Sequence, residues 1–279
     1  MKYFQFNVCA AHAKHQLRRF VFFLREYFFP AGCALCGSSL LDMDETWYGL
    51  CADCHAELLD DSAWMLFADG CAKPSNGTPA EQRCERCGKP MVSGKGTCLA
   101  CREGPHRSYD RLVTVFCYSG KYRQLFGAYK FSKNLSLGHF FAELIVRAYR
   151  LLECTGSQSP GFIVPVPPSP GKIRKAGWDQ VEYLARLLEA GWGELGGPRR
   201  SAIPVYRCLK RLPSKTQKKL SRSDRMENLK GRIILTKPAP LTAVILDDVI
   251  TTGSTMEACA VVLKAGGCQN VYGICVVYD

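Results

Sequence analysis

From residue 111 onward, short runs of buried-type apolar residues alternate with stretches of helical period. Leu112-Val113-Thr114-Val115-Phe116 predicts a strand, and Leu125, Phe126 and Tyr129 recur at helical spacing within 120–131. Leu137, Phe140, Phe141, Leu144, Ile145, Ala148, Leu151 and Leu152 predict a long amphipathic helix. Phe162-Ile163-Val164 predicts a short buried strand, ended by the rigid Pro165-Val166-Pro167-Pro168. A helix is predicted over 179–189, with Val181, Leu184, Leu187 and Leu188 inward. Val244-Ile245-Leu246 predicts a strand, 257–265 a helix stopped by Gly266-Gly267, and 271–278 a closing strand. Strand runs of this kind, alternating with helices, predict the α/β class: a mostly parallel sheet flanked by helices. Ligands of such sheets bind beyond the carboxyl ends of the strands, which draws attention to 165–177 and 247–255.

The first third reads differently. Residues 1–30 are expected to form an amphipathic N-terminal helix, read over 15–29. Its apolar run at 20–24 is bracketed by Arg18-Arg19 and Arg25-Glu26, too short for a membrane span or a signal-peptide core. Surface contact with a membrane is the alternative; stable insertion is not expected, and the expected location is the cytoplasm.

Cysteine changes the picture most. Four Cys-x-x-Cys pairs stand in order at Cys33/Cys36, Cys51/Cys54, Cys84/Cys87 and Cys98/Cys101, with gaps of 14 and 10 residues inside the two halves. One such turn puts two sulfurs on one side of a metal, and a second completes a tetrahedron. Gly37 and Gly88 follow two of the pairs, where the backbone must turn back. The reading is a double zinc ribbon over 31–109, with two structural zinc ions. Four thiolates leave no open coordination position, so the metal would support folding rather than chemistry. Crossed pairing of the four units stays open, and redox disulfides are the alternative. His55 and His106 are near enough to substitute as ligands but read as exposed histidines. Residues 74–79 read as the loop between the knuckles. The other eight cysteines lack metal spacing, and several that lie in apolar runs read as small core residues.

Composition excludes more than it identifies. Across 279 residues, 47% are hydrophobic and 22% charged, which rules out a disordered tail, a collagen-like chain and a coiled coil. The net charge of +12 is uneven: 12 basic against 13 acidic residues in 1–110, and 25 against 12 in 111–279. The segment 199–232 holds 12 basic and 2 acidic residues. Such a field favours polyanions, either nucleotides, phosphorylated sugars or nucleic acid; a solvated loop is the alternative.

Asp247-Asp248-Val249-Ile250-Thr251-Thr252-Gly253-Ser254-Thr255 follows a buried strand and opens a helix. Unpaired amide groups and the positive dipole end suit a phosphate there. Thr251, Thr252, Ser254 and Thr255 add hydroxyl donors, and Gly253 allows close backbone approach. Two adjacent carboxylates can hold a ribose diol or Mg²⁺. A plain strand–turn–helix with Thr and Ser caps accounts for one hydroxyl, not for the run after an acidic pair.

Residues 244–255 resemble the phosphoribosyl pyrophosphate (PRPP) motif of type I phosphoribosyltransferases. Nearly the whole chain resembles the ComF/GntX family, amidophosphoribosyltransferase-like proteins with a double zinc ribbon ahead of a phosphoribosyltransferase domain, here 110–279. Supporting stretches are Phe29-Pro30-Ala31-Gly32-Cys33-Ala34-Leu35-Cys36-Gly37, Tyr129-Lys130-Phe131, Ile163-Val164-Pro165-Val166-Pro167, and Thr216-Gln217 through Leu220, Arg225 and Asn228. The resemblance implies that Asp247 and Asp248 contact the ribose hydroxyls and Mg²⁺, and that Thr251, Thr252, Gly253, Ser254 and Thr255 hold the 5′-phosphate. Arg174 and Lys175, beyond the turn after Val164, would approach the pyrophosphate. The basic segment 199–232 would form a hood over the substrate. One departure stands out: family members carry Arg-Gly-Phe-Asn-Gln where this chain has Ala176-Gly177-Trp178-Asp179-Gln180. Purine-salvage relatives also carry a general-base Asp where this chain has Thr251.

Two functions are implied. One is Mg²⁺-dependent binding of PRPP, with possible pentosyl transfer to an unknown acceptor. The other is an accessory role in competence and DNA uptake, binding single-stranded DNA through the ribbons, the basic run and aromatics such as Tyr206. Competence helicase or recombination proteins would be partners, and the PRPP pocket would be regulatory or vestigial.

Overall fold

The computed structural model describes residues 31–62, 83–89, 91, 96–104, 106–155, 161–191, 202–213 and 231–279. The expected N-terminal helix, the 74–79 loop, and 199–201 and 214–230 of the basic segment lie outside the described residues. So do Thr216, Gln217, Leu220, Arg225 and Asn228.

The main sheet has four parallel strands: β1 (Arg111–Cys117), β2 (Phe162–Pro165), β5 (Thr242–Ile250) and β6 (Asn270–Tyr278), in the order β1-β6-β5-β2. A separate antiparallel pair joins β3 (Leu209–Arg211) to β4 (Ile233–Leu235). The helices of this region are α4 (Gly120–Lys130), α5 (Leu137–Thr155), α6 (Lys172–Ala176), α7 (Gln180–Ala190) and α8 (Ser254–Ala265). Alternation along the central strands assigns each residue to a face. Val244, Leu246, Ile274 and Val276 share one core with Leu144, Ile145 and Leu184 of α5 and α7. Ala243, Ile245, Val271 and Cys275 share the other with Cys259, Ala260 and Leu263 of α8. Both faces are covered, which is why these strands read as continuous apolar runs. The parallel α/β architecture expected from the sequence is present. Cys208, Cys259, Cys268 and Cys275 are buried, as expected of core cysteines.

Three short helices belong to the cysteine-rich region: α1 (Met43–Tyr48), α2 (Ala52–Asp61) and α3 (Leu99–Glu103). Pairing of the four knuckles is sequential. Cys33, Cys36, Cys51 and Cys54 form one cluster, and Cys84, Cys87, Cys98 and Cys101 the other, with all sulfurs of a cluster within 4.8 Å of one another. Tetrahedral zinc with Zn–S near 2.3 Å requires sulfurs about 3.8 Å apart. Cys36 and Cys51 are 3.6 Å apart and Cys87 and Cys98 3.7 Å, so both donor sets fit zinc and each cluster could hold one ion. The two knuckles repeat one backbone device: Gly37 and Gly88 sit at φ +79° and +70°, and their amides donate to Cys33 and Cys84 carbonyls. A Cβ on Gly88 would also collide with the Thr114 side chain.

Neither cluster hangs free. Cys33, Leu40, Tyr48, Leu50, Cys54 and Leu58 belong to the same buried core as Phe140 and Phe141 of α5. The second cluster rests on β1, where Thr114 Oγ1 donates to Gly88 O (2.7 Å) and the Leu112 amide to Glu85 O (2.9 Å). His55 corrects the expectation of an exposed residue. It is half-buried, stacked on Tyr48 at 4.4 Å with Nε2 3.5 Å from Glu143 Oε2, and it belongs to neither sulfur cluster. His106 is exposed as expected. No helix among the described residues is long and apolar enough to cross a membrane.

Thiol acidity follows local contacts. A hydrogen bond with Ser38 pulls Cys36 down to about 6, whereas burial pushes Cys54 and Cys87 up. Zinc would hold all eight as thiolates. The protein should therefore release two zinc ions per chain on thiol titration with a chromogenic chelator, one per cluster. Cys51→Ser and Cys98→Ser should each remove one ion. Cys51→Ser should also lower the melting temperature of the sheet, because its cluster shares the α5 core.

Candidate functional site

A cleft of about 460 Å³ opens at the carboxyl ends of the parallel strands. Its floor is the end of β5. That strand does not stop at Leu246 but runs through the acidic pair to Ile250, so Asp247 and Asp248 are held in ladder geometry. Asp248 is buried, and its Oδ2 accepts from Lys130 Nζ at 2.7 Å and Gln180 Nε2 at 3.0 Å. Its Oδ1 accepts from the Val249 amide, and Asp247 Oδ1 from the Asp248 amide, both at 2.8 Å. Burial pushes the Asp247 carboxyl well above the ordinary carboxylate range, and the neighbouring Asp248 charge adds to the shift. Of the two adjacent carboxylates, Asp248 is ion-paired with Lys130.

The loop 251–253 turns the chain from β5 into α8. Gly253 has φ +74° at the N-cap of this twelve-residue helix and itself supplies no capping side chain. Thr252 Oγ1 and Ser254 Oγ are 2.6 Å apart, and the Ser254 amide donates to Thr252 Oγ1 at 3.3 Å. Thr251 and Thr255 line the cleft beside the two carboxylates. Here α8 begins three residues earlier than the apolar period alone indicates, because the small polar residues form its first turn.

Sequence reasoning missed the brace behind this loop. Arg107 NH2 donates to Thr252 O at 3.3 Å, and the Ser108 amide and hydroxyl donate to Glu257 of α8 at 3.1 and 2.7 Å. Buried Tyr109 brings its hydroxyl to 3.4 Å from where a Gly253 Cβ would be. No periodicity marks these residues, since their role rests on contacts about 145 positions away.

Across the cleft, the Pro-rich segment after β2 and the short α6 provide the opposite wall. Lys172 lines it, donating to Asp179 Oδ2 at 2.6 Å and to Gln180 Oε1. Arg174 and Lys175 are exposed and outside the lining. Lys172 thus lies near the position where Ala176 replaces the family arginine, ion-paired with Asp179, which lines the cleft as well. Arg211 of β3 adds a second cation to the lining. Further along the basic segment, Arg207 is held by Glu182 at 3.1 Å and Glu189 at 3.0 Å, and Tyr206 packs on Phe162 at 5.5 Å.

Fold and site together define an α/β protein with a hydroxyl-rich loop, an acidic pair beside it, and two four-cysteine clusters that could each hold a metal ion. The chain belongs to the ComF family. It is 30% identical over 194 residues to the DNA utilization protein YhgH of Salmonella typhimurium, covering 69% of this chain and 82% of the relative. It is 29% identical over 214 residues to Competence protein F of Haemophilus influenzae, covering 74% and 87% of the two chains. With the Competence protein ComFC of Streptococcus pneumoniae it shares 26% over 255 residues, 86% of this chain and 96% of that one. No family model matches the chain.

The raised Asp247 carboxyl has a consequence for stability. A group whose pKa is higher folded than unfolded favours folding below its unfolded value and loses that contribution as pH rises through the folded one. Asp247→Asn should therefore raise the melting temperature at pH 8. Thermal melts across pH should show the gain shrinking toward pH 4.

Proposed function

We propose that this ComF-family chain binds Mg²⁺-PRPP in the cleft and serves in competence or DNA utilization. The observation that carries the reading is the juxtaposition of Asp247 and Asp248 with Thr251 and Thr255, at the start of α8, in one cleft that also presents Lys172 and Arg211. Thr251, Thr252, Gly253, Ser254 and Thr255 would take the 5′-phosphate, where amides and hydroxyls converge on the helix dipole. Asp247 and Asp248 would take the ribose hydroxyls. Lys172 and Arg211 would face the pyrophosphate, with Arg174 and Lys175 adding positive potential from outside.

The donor set fits Mg²⁺. It is all oxygen, and Mg²⁺ is usually held by one or two carboxylates together with substrate phosphates. When bound, the ion would neutralise the pyrophosphate as a leaving group. The chain's own residues would orient the sugar and hold its charges, the main work in such a transfer. Pentosyl transfer is the reaction this arrangement would support. The names of the relatives supply the DNA context. Exposed Lys133, Arg174, Lys175 and Lys210 favour a second reading in which single-stranded DNA is bound directly.

Calorimetric titration of Mg·PRPP into the zinc-replete protein tests the first reading. Saturable binding is expected, and the Asp247→Ala/Asp248→Ala double variant should abolish it. Absence of heat in the wild type would contradict the reading and leave DNA binding, steeply weakened by salt, in its place.

A further inference from the structure

The two four-cysteine clusters differ in how they meet solvent. In the first, Cys36 is exposed and Cys51 half-buried, with their sulfurs 3.6 Å apart, while Cys33 and Cys54 are buried in the core shared with α5. In the second, Cys84 is buried and Cys87, Cys98 and Cys101 are half-buried. Only the first cluster therefore offers a fully accessible sulfur, with a second one in reach to resolve it. An accessible thiolate beside a resolving cysteine is the arrangement that peroxides oxidise first.

This same cluster grips the amino-terminal half of α4. Lys121 Nζ pairs with Asp61 Oδ2 at 2.6 Å and with Glu57, and the Tyr122 hydroxyl donates to Asp61 Oδ2 at 2.6 Å. Gln124 Nε2 donates to Leu35 O at 3.1 Å and to Ala34 O at 3.3 Å. All four acceptor residues are placed by cysteines of the cluster. Ala34 and Leu35 lie between Cys33 and Cys36, and Glu57 and Asp61 sit on α2, which has Cys51 as its N-cap and Cys54 in its first turn. Toward its other end, α4 brings Phe126 and Lys130 to the cleft wall, where Lys130 Nζ meets Asp248 Oδ2 at 2.7 Å. Leu125, Phe126 and Tyr129 stay buried, so losing the outer contacts would loosen α4 without detaching it.

We infer that the first cluster is an oxidation-sensitive latch on α4: a peroxide links Cys36 to Cys51, the cluster lets go of its metal, and α4 loses its hold on residues 34–35 and α2. The Cys36 thiolate attacks one peroxide oxygen, the O–O bond breaks, and hydroxide leaves with the electron pair. The Cys51 thiolate then attacks the resulting sulfenic sulfur, the S–O bond breaks, and a second hydroxide leaves. Two thiolates are oxidised to one disulfide and one peroxide is reduced to two hydroxides. Cys33 and Cys54 remain, half of a four-thiolate donor set. A segment this short depends on its metal for order, so α2 and the 34–35 turn loosen together.

Hydrogen peroxide added to the zinc-loaded chain with a chromogenic chelator tests the latch. One zinc per chain should be released roughly tenfold faster than the other, as the difference in sulfur exposure requires. An aspartate-specific protease cuts before Asp42 and Asp53, which puts Cys36, Cys51 and Cys54 on separate peptides, and mass spectrometry should find Cys36 joined to Cys51. Amide hydrogen exchange should rise several-fold across α4 and stay unchanged in β5, and dithiothreitol with added zinc should reverse it. Lys121→Ala/Gln124→Ala, which keeps all eight ligands, should show the faster α4 exchange without oxidant while retaining both zinc ions. Release of both ions at one rate, a different disulfide, or release that leaves α4 exchange unchanged would each overturn the latch. So would an oxidation that reductant and zinc fail to reverse, or a double variant with ordinary α4 exchange.

Discussion

Two neighbouring carboxylates at the carboxyl end of a central parallel strand form the constraint around which the site is arranged. Like charges so close, partly out of water, are unfavourable unless other groups hold them. The chain meets this with Lys130 from α4 and Gln180 from α7, which converge on one oxygen of Asp248. That one carboxylate therefore ties two helices to the sheet. Asp247 is left with burial and a negative neighbour, a state that a bound cation relieves. Placing unfavourable electrostatics at a ligand cleft, where bound charge offsets it, is a common arrangement of functional sites.

The loop that follows solves a different problem. The first-turn amides of a helix lack intrahelical partners, and here the Ser254 amide is taken up by Thr252 Oγ1. Gly253 at positive φ gives the turn without a cap, and the bond between Thr252 and Ser254 orders the loop internally. Arg107, Ser108 and Tyr109 then brace it from the segment that links the second metal cluster to β1. Through these contacts the cysteine-rich region bears on the 251–253 loop as well as on α5. Loss of metal would loosen a support of the loop and a support of α5.

Much of this was legible in the sequence because it rests on local pattern. Apolar runs located all four main strands, and Cys-x-x-Cys spacing located the metal clusters. The dipeptide Asp247-Asp248 followed by hydroxyl residues located the cleft floor. What escaped depends on three-dimensional convergence. Sequential knuckle pairing required the sulfurs in space, since spacing alone permits crossed pairs. Lys172 faces the cleft and Arg174 and Lys175 do not, because a short helix after Gly171 turns one side inward and exposes the other. Arg211 was one of many basic residues in its segment, and only its position on β3 separates it from Arg207, whose charge is spent on Glu182 and Glu189.

The central claim is that one ligand spans the cleft, with its monoester on the α8 loop and its diphosphate on the Lys172 flank. Phosphorus-31 NMR of Mg·PRPP resolves these two ends of the molecule. On adding zinc-replete protein, both the 5′-phosphate and the pyrophosphate resonances should shift and broaden, and Lys172→Ala should weaken the change at the pyrophosphate more than at the 5′-phosphate. Perturbation of the pyrophosphate alone, with the 5′-phosphate signal unchanged, would contradict the account, because the loop from Thr251 to Thr255 would then hold nothing.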